Sequence, residues 1–425
     1  MVNDRPHEEE QVPGAAGATP FDVVVVGAGP AGLIAAEQAV AAKPTARVLV
    51  LDAQRSPGRK LLLAGRSGLN ITNSERLDEF LPRFTGSAAE FVRDCIEAHP
   101  PADLAHWCAA LGQPTIVGSS GRVFPTSMRS TPLLRAWVER LGRVGVTIAT
   151  EWRVNVSSTL AQSHLIGANG VGRRTGQIQH VVTRSVVLAL GGGSWPRTGS
   201  DGAWVEAFDA AGVAVISLAA SNVGVHVEWS ERFVSAHEGE PIKNIELNCA
   251  GIVTRGDLVV TRKGLEGGAV YALSPQLRSG HGLTMNLRPN GDVSTTAHAL
   301  GKGRSGDSLS NRLRKTGLSK TAVALVIECG GRASAHDPYA LAELIHRLPI
   351  SVVGLAPIER AISSSGGVAG AAINDRGMLL AVPGVFVAGE MLDWEAPTGG
   401  YLLQACWSTG WRVGQAAALY RDGQP

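Results

Sequence analysis

The hexapeptide Gly27-Ala28-Gly29-Pro30-Ala31-Gly32, with Asp52 closing the next apolar run, has the residue types and spacing to hold a dinucleotide. In G-x-G-x-x-G placed between a strand and a helix, the first glycine allows a tight turn and the second lets a diphosphate approach the backbone. The third lets the helix lie close against the strand. The helix start supplies unpaired N–H groups and a partial positive charge, and an acid at Asp52 is an acceptor for ribose hydroxyls. That intact acid would repel the 2′-phosphate of NADP, so the pattern points to FAD or NAD. Arg55, Arg59 and Lys60 follow at once and put cations beside the diphosphate or adenosine.

Glycines recur where a long ligand would need bare backbone at several separated points: Gly191-Gly192, Gly389 and Gly399-Gly400. FAD is such a ligand. Gly389-Glu390-Met391 follows an apolar run, where ligands of an open α/β sheet sit, and Tyr401 opens a helix whose first N–H groups would face the flavin carbonyls. Trp195 and Trp394 flank these segments and are candidates to line the reacting face of the flavin. Asn70 and Asn222 are candidates to hydrogen-bond flavin or substrate. No catalytic acid or base is identifiable.

These residues need a sheet to position them. Phe21 to Val26 reads as a strand buried on both faces, Gly32 to Ala42 as a helix, and Arg47 to Asp52 as a second strand. Such a unit cannot bury its own sheet. Ser185 to Leu190 and Gly384 to Ala388, each ending in glycine, are the expected parallel partners, and Tyr401 to Ala418 the closing helix. The fold class expected is α/β: a Rossmann-like FAD-binding domain over 21–221 and 351–425, assembled from both chain ends. Residues 75–145 read as a helical excursion within it and 145–185 as a β-meander. Residues 222–350 read as an inserted β-barrel-like substrate or cap domain, with helices at 297–347, that would cover the flavin.

Composition narrows the class. Glycine supplies 52 of 425 residues, well above ordinary usage, with no collagen period. The formal net charge of +2 gives no whole-chain field for nucleic acid or membrane. Five well-separated cysteines without Cys-x-x-Cys fit neither a disulfide scaffold nor a zinc site, so no metal is expected. P-loop, zincin and α/β-hydrolase motifs are absent, as is a second strand-G-x-G-x-x-G-helix unit for a separate nicotinamide domain. The polar, acidic stretch 1–20 reads as a disordered tail, not a secretory signal, and a cytoplasmic location is expected.

Several segments together resemble the BaiN/RdsA-type family of NAD(P)/FAD-dependent oxidoreductases. They are Val23 to Ala36, Gly58 to Gly65, Asn70-Ile71-Thr72-Asn73, Gly121 to Pro125, Gly191 to Gly199 and Gly389 to Tyr401. The resemblance covers residues 21 to 415 in order and is most similar to a largely uncharacterised flavoprotein subgroup. It implies a bound FAD, with Gly65, Asn70, Val154, Glu390 and Asp393 joining the glycines as cofactor-binding candidates, and a small-molecule substrate. It also implies NAD(P)H as a transient donor. Where the broader family has Gly-Gly-Arg-Cys before the asparagine, this chain has Arg66-Ser67-Gly68-Leu69, so contacts of that Arg and Cys do not carry over. Reductase and oxidase chemistry both stay open. Two other functions also remain: a flavin-dependent nucleic-acid (tRNA) modifier and a non-catalytic FAD-binding regulator. Oligomeric state is not readable.

Overall fold

The structure, a computed structural model, describes residues 19–65, 68–162, 164–170, 179–303 and 306–421. The tail expected over 1–20 lies outside the described residues up to position 18, as do Arg66 and Ser67. The chain divides into two units, Met1–Ala219 with Ser364–Pro425, and Ala220–Ser363.

In the first unit, strand β1 (Phe21–Val26), helix α1 (Pro30–Ala42) and strand β2 (Val48–Asp52) form the expected strand-helix-strand start. β1 is the central strand because almost every side chain on it is buried, which only a strand covered on both faces allows. It pairs in parallel with β2 (Val24 opposite Leu49) and with the strand Gln179–Leu188 (Val24 opposite Val186). Val385–Val387 adds in parallel on the far side of Gln179–Leu188, with Val385 opposite Val186. The sheet therefore joins both ends of the chain.

The C-terminal helix Tyr401–Leu419 crosses α1 at backbone contact. A methyl group on Gly410 would lie 2.3 Å from the carbonyl oxygen of Ala31, and one on Gly414 would lie 2.2 Å from that of Ala35. Small residues facing small residues let the two helices approach this closely. Ser185 pins the same helix to the sheet, donating from Oγ to the carbonyl of Ala417 at 2.9 Å. On the outer part of α1, the carboxylate of Glu37 accepts from Trp137 Nε1 at 2.7 Å and Trp107 Nε1 at 3.2 Å, and pairs with Arg140 at 2.7 Å. This ties the helices Pro101–Ala110 and Ser130–Arg143 to the dinucleotide unit.

Three expectations need correction. Residues 75–145 are helical only in part: Thr115–Val117, Arg122–Pro125 and Thr72–Asn73 form a three-stranded sheet. Their short apolar runs lie beside turn residues, a strand signal masked by the helical segments on either side. Residues 145–185 are no simple meander. Thr147–Thr150 pairs in parallel with β2, while Trp152–Val154, Leu165–Gly170 and the first half of Gln179–Leu188 are antiparallel. Finally, Val352–Leu355, placed by sequence with the FAD-binding part, pairs with Val225–Val227 in the second unit.

The second unit is built on a seven-stranded antiparallel sheet whose order runs from Leu348–Ile350 at one end to Val352–Leu355 at the other. These end strands are separated in the chain only by Ser351, so the sheet curls until its two edges meet, a nearly closed barrel. Leu247, Leu258, Val260, Leu265, Met285 and Leu348 fill it. The unit also holds helices Val293–Gly301, Leu309–Arg314, Lys320–Val326 and Pro338–His346, each capped at its start by a side chain, from Asp292, Ser308, Ser319 and Asp337. Among the described residues no helix is long and apolar enough to cross a membrane.

Candidate functional site

The β1–α1 turn separates glycines needed by the fold from one that leaves room. Gly27 has φ +103° and a Cβ there would meet Ala189 O at 2.3 Å; a Cβ on Gly32 would meet Gly27 O at 1.9 Å. A Cβ on Gly29 meets nothing within 4 Å. Gly29 is also the N-cap of α1, with Pro30 and Ala31 in its first turn, so the open space lies at a helix N-terminus, where N–H groups lack intrahelical partners. Asp52 braces this turn. Its Oδ2 accepts from Ala28 N at 2.6 Å and its Oδ1 from Gln54 N at 2.7 Å. Burial pushes its carboxyl above the ordinary value, against the pull of those two N–H groups. Each oxygen keeps a second lone pair for a ribose hydroxyl.

Lys60, expected beside the diphosphate or adenosine, is held by protein groups. Its Nζ donates to Glu390 Oε2 at 2.6 Å and to Ser194 Oγ at 2.7 Å. The structure thus joins two residues predicted independently for the cofactor. The other oxygen of Glu390 accepts from Ser364 N at 3.0 Å, and Ser364 Oγ accepts from Gly193 N at 3.1 Å. Gly192 lies so close that a Cβ would stand 1.7 Å from Ser364 Oγ, and one on Gly191 would stand 2.8 Å from Ser200 Oγ. Sequence reasoning missed Ser194 and Ser364. The signal was there: a Ser363-Ser364-Ser365 run in a fully buried strand is a costly choice unless its hydroxyls find partners.

Around the start of the C-terminal helix, Gly400 is its N-cap with φ +103°, and a Cβ there would lie 2.3 Å from the carbonyl carbon of Thr72. Gly399 O accepts from Asn73 Nδ2 at 3.4 Å. A Cβ on Gly389 would stand 2.8 Å from Ala31 Cβ, so this glycine lets the strand end pack against α1. Tyr401 turns its side chain away from any ligand role. Its hydroxyl donates to Glu75 Oε1 at 2.6 Å, its ring packs 4.7 Å from Phe80, and burial with the neighbouring carboxylate raises its ionisation well above the ordinary range. What Tyr401 can offer a ligand is its backbone N–H.

Four further expectations are corrected. Trp394 is 2% exposed, donates from Nε1 to Gly389 O at 2.8 Å and sits beside Phe84, so it is a core residue out of reach of substrate. Asn222 is equally buried in the second unit, its Nδ2 donating to Ser363 Oγ at 2.8 Å, and its left-handed backbone shows a turn role. Asp393 accepts from Ser87 N at 2.8 Å and so holds the turn before the helix Ala89–Ala98. Gly65 faces protein: a Cβ there would lie 2.5 Å from Ser130 Oγ. Trp195 remains 36% exposed with φ +59°, Arg59 is exposed and Val154 is half-buried at its strand end.

Two observations test these residues against a bound dinucleotide. Open space lies at Gly29, the N-cap of α1, where an added Cβ would meet no atom within 4 Å. Asn70 Oδ1 and Thr72 Oγ1 are buried without a hydrogen-bond partner among the described residues, as polar atoms aimed at a ligand would be. The residues fit FAD. Elsewhere, a shallow cavity of about 280 Å³ opens on the second unit, lined by Glu246, Asn248, Thr284, Asn286, His346 and Arg347, none of them a predicted site residue. Among the described residues no three His, Cys, Asp or Glu side chains gather to hold a metal.

The family model described as the HI0933-like protein Rossmann domain matches residues 21–416. The chain belongs to this family. With membership come the FAD cofactor and the oxidoreductase class that the motifs implied. Two relatives of the family member are similar over nearly their whole length. A protein of Escherichia coli named ribosomal RNA dihydrouridine synthase is 26% identical, over 93% of this chain and 97% of that one. A 3-dehydro-bile acid delta(4,6)-reductase of Clostridium scindens is 25% identical, over 93% and 98%. Among solved structures, an open-conformation flavocytochrome c3 fumarate reductase is 19% identical with TM-score 0.51, covering 95% of this chain and 79% of that one. A 3-ketosteroid-Δ4-(5α)-dehydrogenase of Rhodococcus jostii RHA1 is 17% identical with TM-score 0.51, over 94% and 97%. These two share the fold.

Proposed function

We propose that this flavoprotein transfers a hydride between FAD and a carbon–carbon double bond conjugated to a carbonyl group in a small organic substrate, with NAD(P)H as electron donor. One observation carries the reading. The two relatives matched over nearly their full length bear names for different substrates, yet both names describe adding hydrogen across a double bond conjugated to a carbonyl, in a uracil ring and in a 3-oxo steroid. When bound, FAD supplies the hydride chemistry. The chain supplies the rest: the α1 N-terminus at Gly29 holds the diphosphate, Asp52 the ribose, and Asn70, Thr72 and the first N–H groups of Tyr401–Leu419 orient the far end.

Anaerobic mixing with NADH and NADPH tests the donor through loss of flavin absorbance. Reoxidation by 4-androstene-3,17-dione, a conjugated 3-oxo steroid, then tests the acceptor. Flavin that neither nicotinamide reduces would remove the donor. Reduced flavin that no conjugated enone reoxidises faster than buffer would remove the substrate class. No NADPH oxidation with any acceptor would favour the regulator.

RNA is a second reading. The Escherichia coli relative is named for an rRNA modification, and over residues 302–343 of the sequence Lys302, Arg304, Arg312, Arg314, Lys315, Lys320 and Arg332 outnumber Asp307, Glu328, Asp337 and Glu343. Salt-dependent binding of rRNA fragments in a shift assay tests it.

A further inference from the structure

Lys60 stands on the short helix α2 (Arg59–Ala64), just past the acid that closes β2. Glu390 stands at the end of Val385–Val387, a parallel strand at the far end of the chain. Their ion pair measures 2.6 Å, with side chains 27% and 13% exposed. An exposed pair of long side chains gains little from such a contact. This one is held from every side: Ser194 Oγ bonds Lys60, and Ser364 N–H bonds the second oxygen of Glu390. Four separate chain segments therefore meet at this ion pair, outside the carboxyl end of a parallel strand, where ligands of open α/β sheets lie. A lone carboxylate there would oppose any further negative charge nearby, and an ammonium at contact distance cancels it.

We propose that Lys60 is a positioning residue of the cofactor site. Its ion pair fixes the Glu390 carboxylate as an acceptor for the hydroxyl-bearing chain of FAD and cancels its charge, which keeps the bound flavin easy to reduce. The proposal rests on the FAD reading given above, and it adds a reason for a cation away from the diphosphate. A merely structural pair would stabilise the fold without moving the flavin potential.

The test uses the full chain, stripped of flavin and reconstituted with FAD, and reads FAD affinity, the two-electron midpoint potential and the melting temperature of the apoprotein. Lys60→Met is expected to weaken FAD binding at least tenfold and to lower the potential by about 30 mV or more, a tenfold shift for a two-electron couple. Glu390→Gln is expected to raise the potential, and the double variant to return it towards the wild-type value. Lys60→Arg should keep both affinity and potential. Lys60→Met with wild-type affinity and potential overturns the proposal, as does Lys60→Arg behaving like Lys60→Met. If Lys60→Met does not fold, Glu390→Gln and the double variant decide: a potential that rises in the first and falls back in the second supports the role, and equal potentials overturn it. Wild-type protein that binds no FAD would overturn the cofactor reading itself. FAD-loaded wild type with an unmoved variant potential overturns only the role of Lys60.

Discussion

Gly410 faces the carbonyl of Ala31 so closely that one added methyl would stand 2.3 Å from its oxygen. The crossing of α1 and Tyr401–Leu419 depends on that bare position. Gly410→Val is expected to cost about 3 kcal/mol or more, because backbone cannot give way as a side-chain tip can. Gly142, in the helix Ser130–Arg143 with open space around it, is the control: Gly142→Ala should stabilise by about 0.5–1 kcal/mol. Urea unfolding of the apoproteins checks both.

Gly27 and Gly29 of the β1–α1 turn should part company. Gly29→Ala is expected to cost the apoprotein about 1 kcal/mol or less while weakening FAD binding at least tenfold, since its Cβ would enter ligand space. Gly27→Ala meets backbone at 2.3 Å with φ +103° and should lose roughly 3 kcal/mol of fold stability before affinity is considered. Melting curves of apoprotein beside FAD titrations separate the two effects; equal stability losses would show that Gly29 serves only the turn.

Glu37 predicts a pH dependence. Burial raises its carboxyl above the ordinary value of 4.5, ahead of the opposing pull of Arg140 and the two indole N–H groups. The folded state then holds the proton more tightly than the unfolded state. Its contribution is therefore most favourable below 4.5 and declines as pH rises towards the raised folded-state value. Glu37→Gln should flatten that slope in a series of unfolding curves from pH 4 upwards. Glu37→Leu, which strands Arg140 and two indoles, should cost about 3 kcal/mol.

Trp195 and Trp394, both candidates by sequence to line the flavin, should behave oppositely. Trp394→Phe removes a buried hydrogen bond to Gly389 and is expected to lower stability by about 1–2 kcal/mol with KM unchanged. Trp195→Asn replaces a bulky side chain at φ +59° with one that tolerates the left-handed region, so stability should hold or rise by about 1 kcal/mol. KM for the enone should rise several-fold if the exposed indole meets substrate. An unchanged KM assigns Trp195 elsewhere.

The parts of the molecule that were legible in the sequence are those governed by short-range rules. The β-branched run at Val23 to Val26, the glycine turn and Asp52 specify their own unit, and the apolar runs near Val186 and Val385 announce its distant partners because only a doubly covered strand reads that way. Lys60 and Glu390 were each expected at the cofactor from sequence, on separate grounds. Their pairing was not, since it depends on the register that brings the ends of β2 and Val385–Val387 to one edge. Trp394 and Asn222 failed as substrate residues for a similar reason. Their types allow ligand contact, but burial is set by neighbours such as Phe84 and Ser363 that no local pattern reveals. Val352–Leu355 was assigned to the wrong unit because its partner, Val225–Val227, lies far upstream.

Joining the two ends of the chain in one sheet also sets a clock. β1 and α1 leave the ribosome well before Val385–Val387 and the helix that covers α1, which follow hundreds of residues later in the chain. At about 5–20 residues per second, the early strands wait on the order of 20–70 seconds for the partners that cover them. During that time the face of α1 that Tyr401–Leu419 will cover, and the edge of Gln179–Leu188 that Val385–Val387 will pair, stay open, so chaperone dependence should fall on the nascent chain and be relieved only after Tyr401–Leu419 has emerged.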